Sequence, residues 1–321
     1  MSMNANLTEI VGKKTYLEYF CSERFTEGIH HHLIFLSTFV VFLCIFTSLG
    51  NALILVALQK ESTLAPPSKL LLRSLATSDI CVGMLSDPLA AISLVSAIKE
   101  HWGVCYYALS PTIVVNSALC TVSLLTTSAM SVNRLLALSL GVRYIETVTT
   151  KRVYGIIIMF WVLATAASAV YVRSSQFTTR FIETVLIICL SASVFSHTMI
   201  FFNLRQHRTP VQDRCSREDP PIACSSLRSE ASRIAKYKKA VSSVLWIQLA
   251  LLICYLPYTV IVALRLSIQG ELSQTLVLSQ QYAGVFVLVN SSLNPLLYCW
   301  KILEVRQAVV ATLKKWRCSS T

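Results

Sequence analysis

Seven apolar stretches occupy most of this 321-residue chain, near residues 33–58, 70–98, 105–140, 153–172, 181–204, 240–268 and 275–299. Each is long enough as a helix to cross a hydrocarbon core of about 30 Å at about 1.5 Å per residue. Backbone in lipid must satisfy its own hydrogen bonds, which leaves only helices or a closed barrel. The period-two alternation of barrel strands is absent. The expected fold is therefore all-α, a seven-transmembrane helix bundle. Composition agrees, since 54% of residues are hydrophobic and only 14% charged, a balance no soluble core of this size needs.

The formal net charge of +12 could suggest nucleic acid, but its placement argues otherwise. The connections after spans 1, 3, 5 and 7 fall on one side of the membrane and hold 21 of the 28 Lys and Arg. The positive-inside rule makes that side cytoplasmic and the N-terminus extracellular. Asn6-Leu7-Thr8 is then a glycosylation sequon on the outer side, at Asn6. No signal peptide is evident, and the first span is expected to act as its own signal. The chain divides into an extracellular segment (1–32), a transmembrane domain (33–299), and an amphipathic helix with cytoplasmic tail (300–321). The first segment is polar and too short for a core of its own, so recognition is expected among the helices.

Most of the 11 cysteines lie in spans or on the cytoplasmic side, where thiols stay reduced. Only Cys21 and Cys105 face the oxidising side. A disulfide between them would close a loop of more than 80 residues, worth about 4–5 kcal/mol on chain-entropy grounds; the alternative is two free thiols. Among the connections, Pro66 and Pro67 end the first helix and Ser68 is placed to cap the second. The third cytoplasmic connection, polar and proline-containing, reads as a loop with little packed structure. After Tyr298, Ile302, Val305, Val309 and Leu313 recur at helical spacing beside Lys301, Arg306, Lys314 and Lys315. This pattern predicts a helix lying on the lipid surface, with Cys318 near its end as a candidate for palmitoylation.

Polar side chains inside a span are costly and need a partner or a purpose. Asp79 in the second span lies at a depth comparable to Asn51 in the first, Ser123 in the third, and Asn290 and Asn294 in the seventh. Such an oxygen-rich set suits a hard cation such as sodium, or a proton. It equally suits a network that glues helices together.

Gly50-Asn51, Leu75-Ala76-Thr77-Ser78-Asp79, Asn133-Arg134-Leu135, Trp161, Cys254-Tyr255-Leu256-Pro257 and Asn294-Pro295-Leu296-Leu297-Tyr298 resemble, in order and spacing, the signature set of rhodopsin-like (class A) G-protein-coupled receptors. The resemblance covers about residues 33–316. It implies a receptor that binds an extracellular ligand and activates a heterotrimeric G protein, without enzymatic activity or a required cofactor beyond an allosteric sodium ion at Asp79, Ser123, Asn290 and Asn294. Arg134 would meet the G protein, Pro257 and Pro295 would serve as hinges, and Tyr298 would turn inward on activation. Asn133 and Tyr255 belong to the same switch.

Departures from the family pattern shape the rest of the reading. Asn133 stands where an acid usually precedes the arginine, and Tyr237 where a second acid often lies, so Arg134 is expected to lack a carboxylate partner and ligand-free activity to be raised. The aromatic before the sixth-span proline is Tyr255, usually a tryptophan. His197 replaces an inner tyrosine and is expected to be a hydrogen-bonded packing residue. The outer loop from Arg173 to Arg180 lacks the family's disulfide cysteine, which assigns Cys105 to Cys21.

Asn116 occupies the place of the amine-binding aspartate, which argues against a biogenic amine. Leu288 replaces the retinal lysine, and Val262 replaces an adenosine-type asparagine. The expected pocket is Asn116, Cys120, Tyr255, Tyr258, Gln281 and Tyr282, with Asp87, Glu183 and Arg265 nearer the rim. It suits a small neutral molecule, a lipid or a peptide end. The missing loop cysteine and proline-free fifth span look most like melanocortin- and adenosine-related receptors and divergent invertebrate relatives. The competing function is a non-signalling decoy or scaffold of the same fold, motivated by Asn133 and Tyr255. A transporter is disfavoured by the absence of an inverted repeat and an enzyme by the absence of a nucleophile–base pair.

Overall fold

The computed structural model describes residues 16–60, 64–170, 175–206, 246, 249–265, 267 and 272–319. Six helices within it are long and apolar enough to cross a membrane: His30–Lys60, Pro66–Ile98, Trp102–Ser139, Thr150–Ala169, Arg180–Phe202 and Gln274–Lys301. A shorter apolar helix, Leu249–Arg265, stands sixth in chain order and completes the set of seven spans. Every regular element among the described residues is helical, as the apolar pattern requires.

The bundle is stabilised from three contiguous apolar clusters. Toward the N-terminal face, Leu33, Leu36, Leu94 and Leu109 pack together. In the middle, Cys120, Leu124, Leu186 and Tyr255 join the third, fifth and sixth spans. At the opposite face, Ile54, Leu75, Met130 and Tyr298 form the third cluster. The outer surface is apolar as well, with Phe42 and Leu49 59% and 67% exposed. A soluble monomer rarely carries such a belt, whereas a lipid-facing surface consists of one.

Two close helix approaches explain two glycines. A Cβ on Gly50 would lie 3.1 Å from Pro295 Cγ, so the first span fits against the proline turn of the seventh. A Cβ on Gly83 would lie 2.5 Å from Ser48 Oγ and 3.1 Å from the Cys44 carbonyl. Gly83 sits in a π-helical turn, Val82–Ser86, a local widening that re-aims the side chains beyond it. The Cys44 thiol donates to the Gly83 carbonyl at 3.0 Å.

Three expectations are corrected here. Residues before His30 are not merely polar: helices Tyr16–Phe20 and Glu23–Thr26 bury Phe20 and Phe25 completely, within the same cluster as the tops of the spans. The second helix starts at Pro66, where a missing N–H costs nothing, after the N-cap residue Ala65. Ser68 is thus not its cap. The terminal helix, Leu303–Ser319, does form, but Val305 and Val309 pack with Ile54 and Leu58 of the first span, not on lipid. Of the four apolar residues of the expected pattern, Ile302, Val305 and Val309 are buried and Leu313, 46% exposed, faces outward.

Candidate functional site

A cavity of about 150 Å³ opens among the spans toward the N-terminal face. Of the expected pocket residues, Asn116, Cys120, Tyr255, Tyr258 and Gln281 line it. Glu183, Val262, Arg265 and Leu288 also reach it. Its floor is apolar and aromatic, because Cys120 and Tyr255 are nearly fully buried in the middle cluster. Asn116 does not present a free carbonyl there: its Oδ1 accepts from the Cys120 thiol at 3.4 Å.

Tyr282 and Asp87 are not part of the lining. Tyr282 turns toward the first span, where its hydroxyl and His32 Nδ1 are 2.9 Å apart and its ring stacks on Phe35. One step along a helix rotates a side chain by about 100°, which places Gln281 in the cavity and Tyr282 beside it. Asp87 is fully buried, with neither carboxylate oxygen hydrogen-bonded among the described residues; its neighbour Ser86 faces the cavity instead.

The N-terminal helices cover the cavity, held there by the bridge expected from the sequence. Cys21 and Cys105 form a disulfide with Cα atoms 5.8 Å apart, pinning the two short N-terminal helices to the start of the third span. Gln274 Nε2 donates to the Phe25 and Glu27 carbonyls at 2.8 and 2.7 Å, tying the same segment to the seventh span. Tyr16 consequently becomes a lining residue. Gln281 Nε2 donates to its hydroxyl at 2.6 Å, and the Arg265 guanidinium lies 4.8 Å over its ring.

Below the cavity lies the polar core. Asn294 Nδ2 donates to Asp79 Oδ2 at 2.7 Å, while Asp79 Oδ1 is buried without a hydrogen bond. Asn51 Nδ2 donates to the Thr47 carbonyl at 2.9 Å and the Ser291 carbonyl at 3.1 Å, and Asn51 Oδ1 also lacks a partner. Two members of the expected set make no hydrogen bond to the carboxylate. The Ser123 hydroxyl pairs with Ser78 at 3.1 Å, not with Asp79, and Asn290, though buried, has no hydrogen bond to the carboxylate. Ser291, absent from the expected set, places its side chain beside Asp79. Its neighbour Ser292 hydrogen-bonds Thr47.

At the opposite face, Asn133 bridges two elements. Its Nδ2 donates to Ser68 Oγ at 3.0 Å, and its Oδ1 accepts from the Tyr144 hydroxyl at 2.9 Å. Arg134 makes an interaction of its own there as well. Tyr298 is fully buried, with its hydroxyl unpartnered. Pro295 lies within the seventh helix one turn earlier, and Pro257 lies in the sixth. His197 departs from expectation, since neither ring nitrogen has a hydrogen-bond partner among the described residues. Lys301 Nζ sits 3.5 Å over the Trp300 ring and 4.7 Å over that of Trp246. Asn6, Tyr237, the third cytoplasmic connection beyond Gln206 and the Cys318 side chain lie outside the described residues.

Residues 50–180 and 171–298 match the family described as "7 transmembrane receptor (rhodopsin family)". Among characterised proteins, the chain is 33% identical to the alpha-2B adrenergic receptor of Echinops telfairi over 127 residues, 40% of this chain and 32% of the relative. It is 31% identical to that of Talpa europaea over 133 residues, 41% of this chain and 33% of the relative. It is also 31% identical to the 5-hydroxytryptamine receptor 1B of Didelphis virginiana over 139 residues, covering 42% and 34%. The chain thus spans about a third of the length of these relatives.

Proposed function

We propose, of a chain that belongs to the rhodopsin family of seven-transmembrane receptors, that it acts in the plasma membrane with its N-terminus outside, binds an extracellular ligand, and promotes nucleotide exchange on a heterotrimeric G protein. The observation carrying this reading is the succession of buried groups from cavity to opposite face: Tyr255 on the cavity floor, Asp79 bonded to Asn294, and Pro295 with the buried Tyr298. A ligand changes such a succession only by binding its two arrangements with different affinity. Tyr298, whose hydroxyl is unpartnered, gains by turning toward a polar partner, and the proline interruptions at Pro257 and Pro295 allow that movement.

The ligand proposed is not a biogenic amine, although the relatives named above are amine receptors. Asn116 brings no charge to the third-span position, and its carbonyl is already engaged by Cys120. An allosteric sodium ion fits the core: Asp79 Oδ1 and Asn51 Oδ1 are buried oxygens without partners, with Ser291 adjoining, a hard-oxygen donor set suited to a hard cation. Asn294 would then hold the carboxylate from the other side. Asn6 is the proposed glycosylation site and Cys318 the proposed palmitoylation site.

A panel of G-protein reporters in cells tests the reading. Surface-expressed receptor should give a signal that Arg134→Ala removes. Silence across the panel, with surface expression confirmed, would favour the decoy.

A further inference from the structure

The cavity wall carries one anion and one cation that nothing among the described residues neutralises. Glu183 on the fifth span and Arg265 at the outer end of the sixth both line it. Glu183 Oε1 and Arg265 Nε are buried atoms without hydrogen-bond partners. No ion pair joins the two side chains to each other or to any other described residue. The contact that Arg265 does make, over the Tyr16 ring at 4.8 Å, is a cation–π contact and leaves Nε unpartnered. Gln280, 6% exposed, adds an unpartnered buried acceptor, Oε1, in the same cavity.

Unpaired charges in a partly dry site are unfavourable unless something arrives to pair them. Each candidate ligand class can be weighed against that requirement. A neutral lipid would leave both charges unmatched. A simple amine would satisfy Glu183 and leave Arg265 unmatched and further desolvated. A simple acid would do the reverse. A molecule carrying its own ammonium and carboxylate satisfies both, and a guanidinium is suited to gripping a carboxylate with two parallel hydrogen bonds. The cavity, about 150 Å³, is smaller than the range of roughly 300–1,000 Å³ that holds drug-sized ligands. The rest of the wall mixes tyrosine, thiol and aliphatic side chains with the hydroxyls of Ser86, Ser93, Thr112, Ser117, Thr178 and Thr259.

Resting on the receptor reading above, we infer that the ligand is a small zwitterion, an amino acid or very short peptide with an apolar or aromatic side chain. Arg265 holds its carboxylate. Glu183 holds its ammonium, with Gln280 as a further acceptor. The apolar part points inward to Tyr255 and Cys120. Asn116, neutral and engaged by Cys120, suits that apolar end better than a buried aspartate would.

The test uses full-length receptor in nanodiscs, with melting shifts read for single free amino acids and hydrophobic dipeptides. Their C-terminal amides, their N-acetyl derivatives, and serotonin, tyramine and octopamine form the comparison set. At least one free zwitterion should raise the melting midpoint, while its amide and its N-acetyl form bind at least about 30-fold more weakly, as expected for losing one partner of a desolvated charge pair. Arg265→Gln should abolish the preference for acid over amide, and Glu183→Gln the preference for free over acetylated amine. Should either variant fail to fold, the amide and acetyl comparisons test the same two contacts on the unaltered protein. The inference is overturned if no amino acid or dipeptide shifts the midpoint, if the blocked forms bind as well as the free ones, or if an amine binds better than every zwitterion. Arg134-dependent nucleotide exchange in the same preparation separates the two levels. Its presence alongside a failed zwitterion panel removes the ligand class alone, and its absence under every ligand removes the receptor reading.

Discussion

The Tyr144 hydroxyl donates to Asn133 Oδ1 at 2.9 Å, so the residue preceding Arg134 is tied to the connection between the third and fourth spans. With Ser68 on its amide nitrogen, Asn133 replaces charge by two neutral hydrogen bonds, each worth about 0.5–1.5 kcal/mol. An aspartate at this position keeps the Tyr144 bond, lets Ser68 reverse its hydroxyl to donate, and adds a carboxylate next to Arg134. Asn133→Asp should therefore lower ligand-free signalling several-fold at equal surface expression. An unchanged or raised ligand-free signal would show that the charge at 133 does not set the resting population.

The Cys21–Cys105 bridge closes a separation of 84 residues and holds the helices that bury Phe20 and Phe25. Chain-entropy reasoning assigns it about 4–5 kcal/mol. Peptide mapping without reduction should recover the two cysteines as one linked species, and the double Cys→Ser protein should melt markedly lower. Two free thiols in the native protein would contradict the assignment.

Sodium should stabilise the resting receptor through Asp79. At tenfold excess over its Kd, a ligand bound only to one state contributes about 1.4 kcal/mol. Replacing potassium by sodium at constant ionic strength should raise the melting midpoint of the unaltered protein and leave Asp79→Asn unmoved. Equal shifts in both proteins would make the Asp79 cluster a purely structural network.

Gly83→Ala should destabilise the receptor by about 1–3 kcal/mol, because the added methyl would meet Ser48 and the Cys44 carbonyl. Gly103→Ala is the control: nothing lies within 4 Å of its Cβ, so its effect should stay within about 0.5 kcal/mol. Comparable melting for the two variants would mean that the first and second spans do not approach as described.

The long apolar spans, the cysteine pair and the Asp79–Asn294 contact were legible in the sequence because each rests on a strong one-dimensional signal: length, compartment, or a rare polar residue at membrane depth. What stayed hidden depends on rotation about helix axes and on tertiary partners. Gln281 and Tyr282 are equally placed by depth, and only packing against His32 and Phe35 turns the second away from the cavity. Ser291 reaches Asp79 and Ser123 bonds Ser78 instead for the same reason. The N-terminal helices, five and four residues long, are too short to show a helical period, so Tyr16 could not be read as a wall of the site. Ser68, placed by sequence to cap a helix, is drawn instead to Asn133, 65 residues away.

We propose that this chain drives nucleotide exchange through Arg134. Purified receptor in nanodiscs, mixed with purified heterotrimers representing each G-protein class, can be assayed directly for uptake of a non-hydrolysable GTP analogue. At least one heterotrimer should exchange faster with the receptor than without it, and Arg134→Ala should return the rate to the receptor-free value while preserving the melting midpoint. Exchange at the receptor-free rate for every heterotrimer, with folded receptor and with the zwitterion panel present, would contradict it.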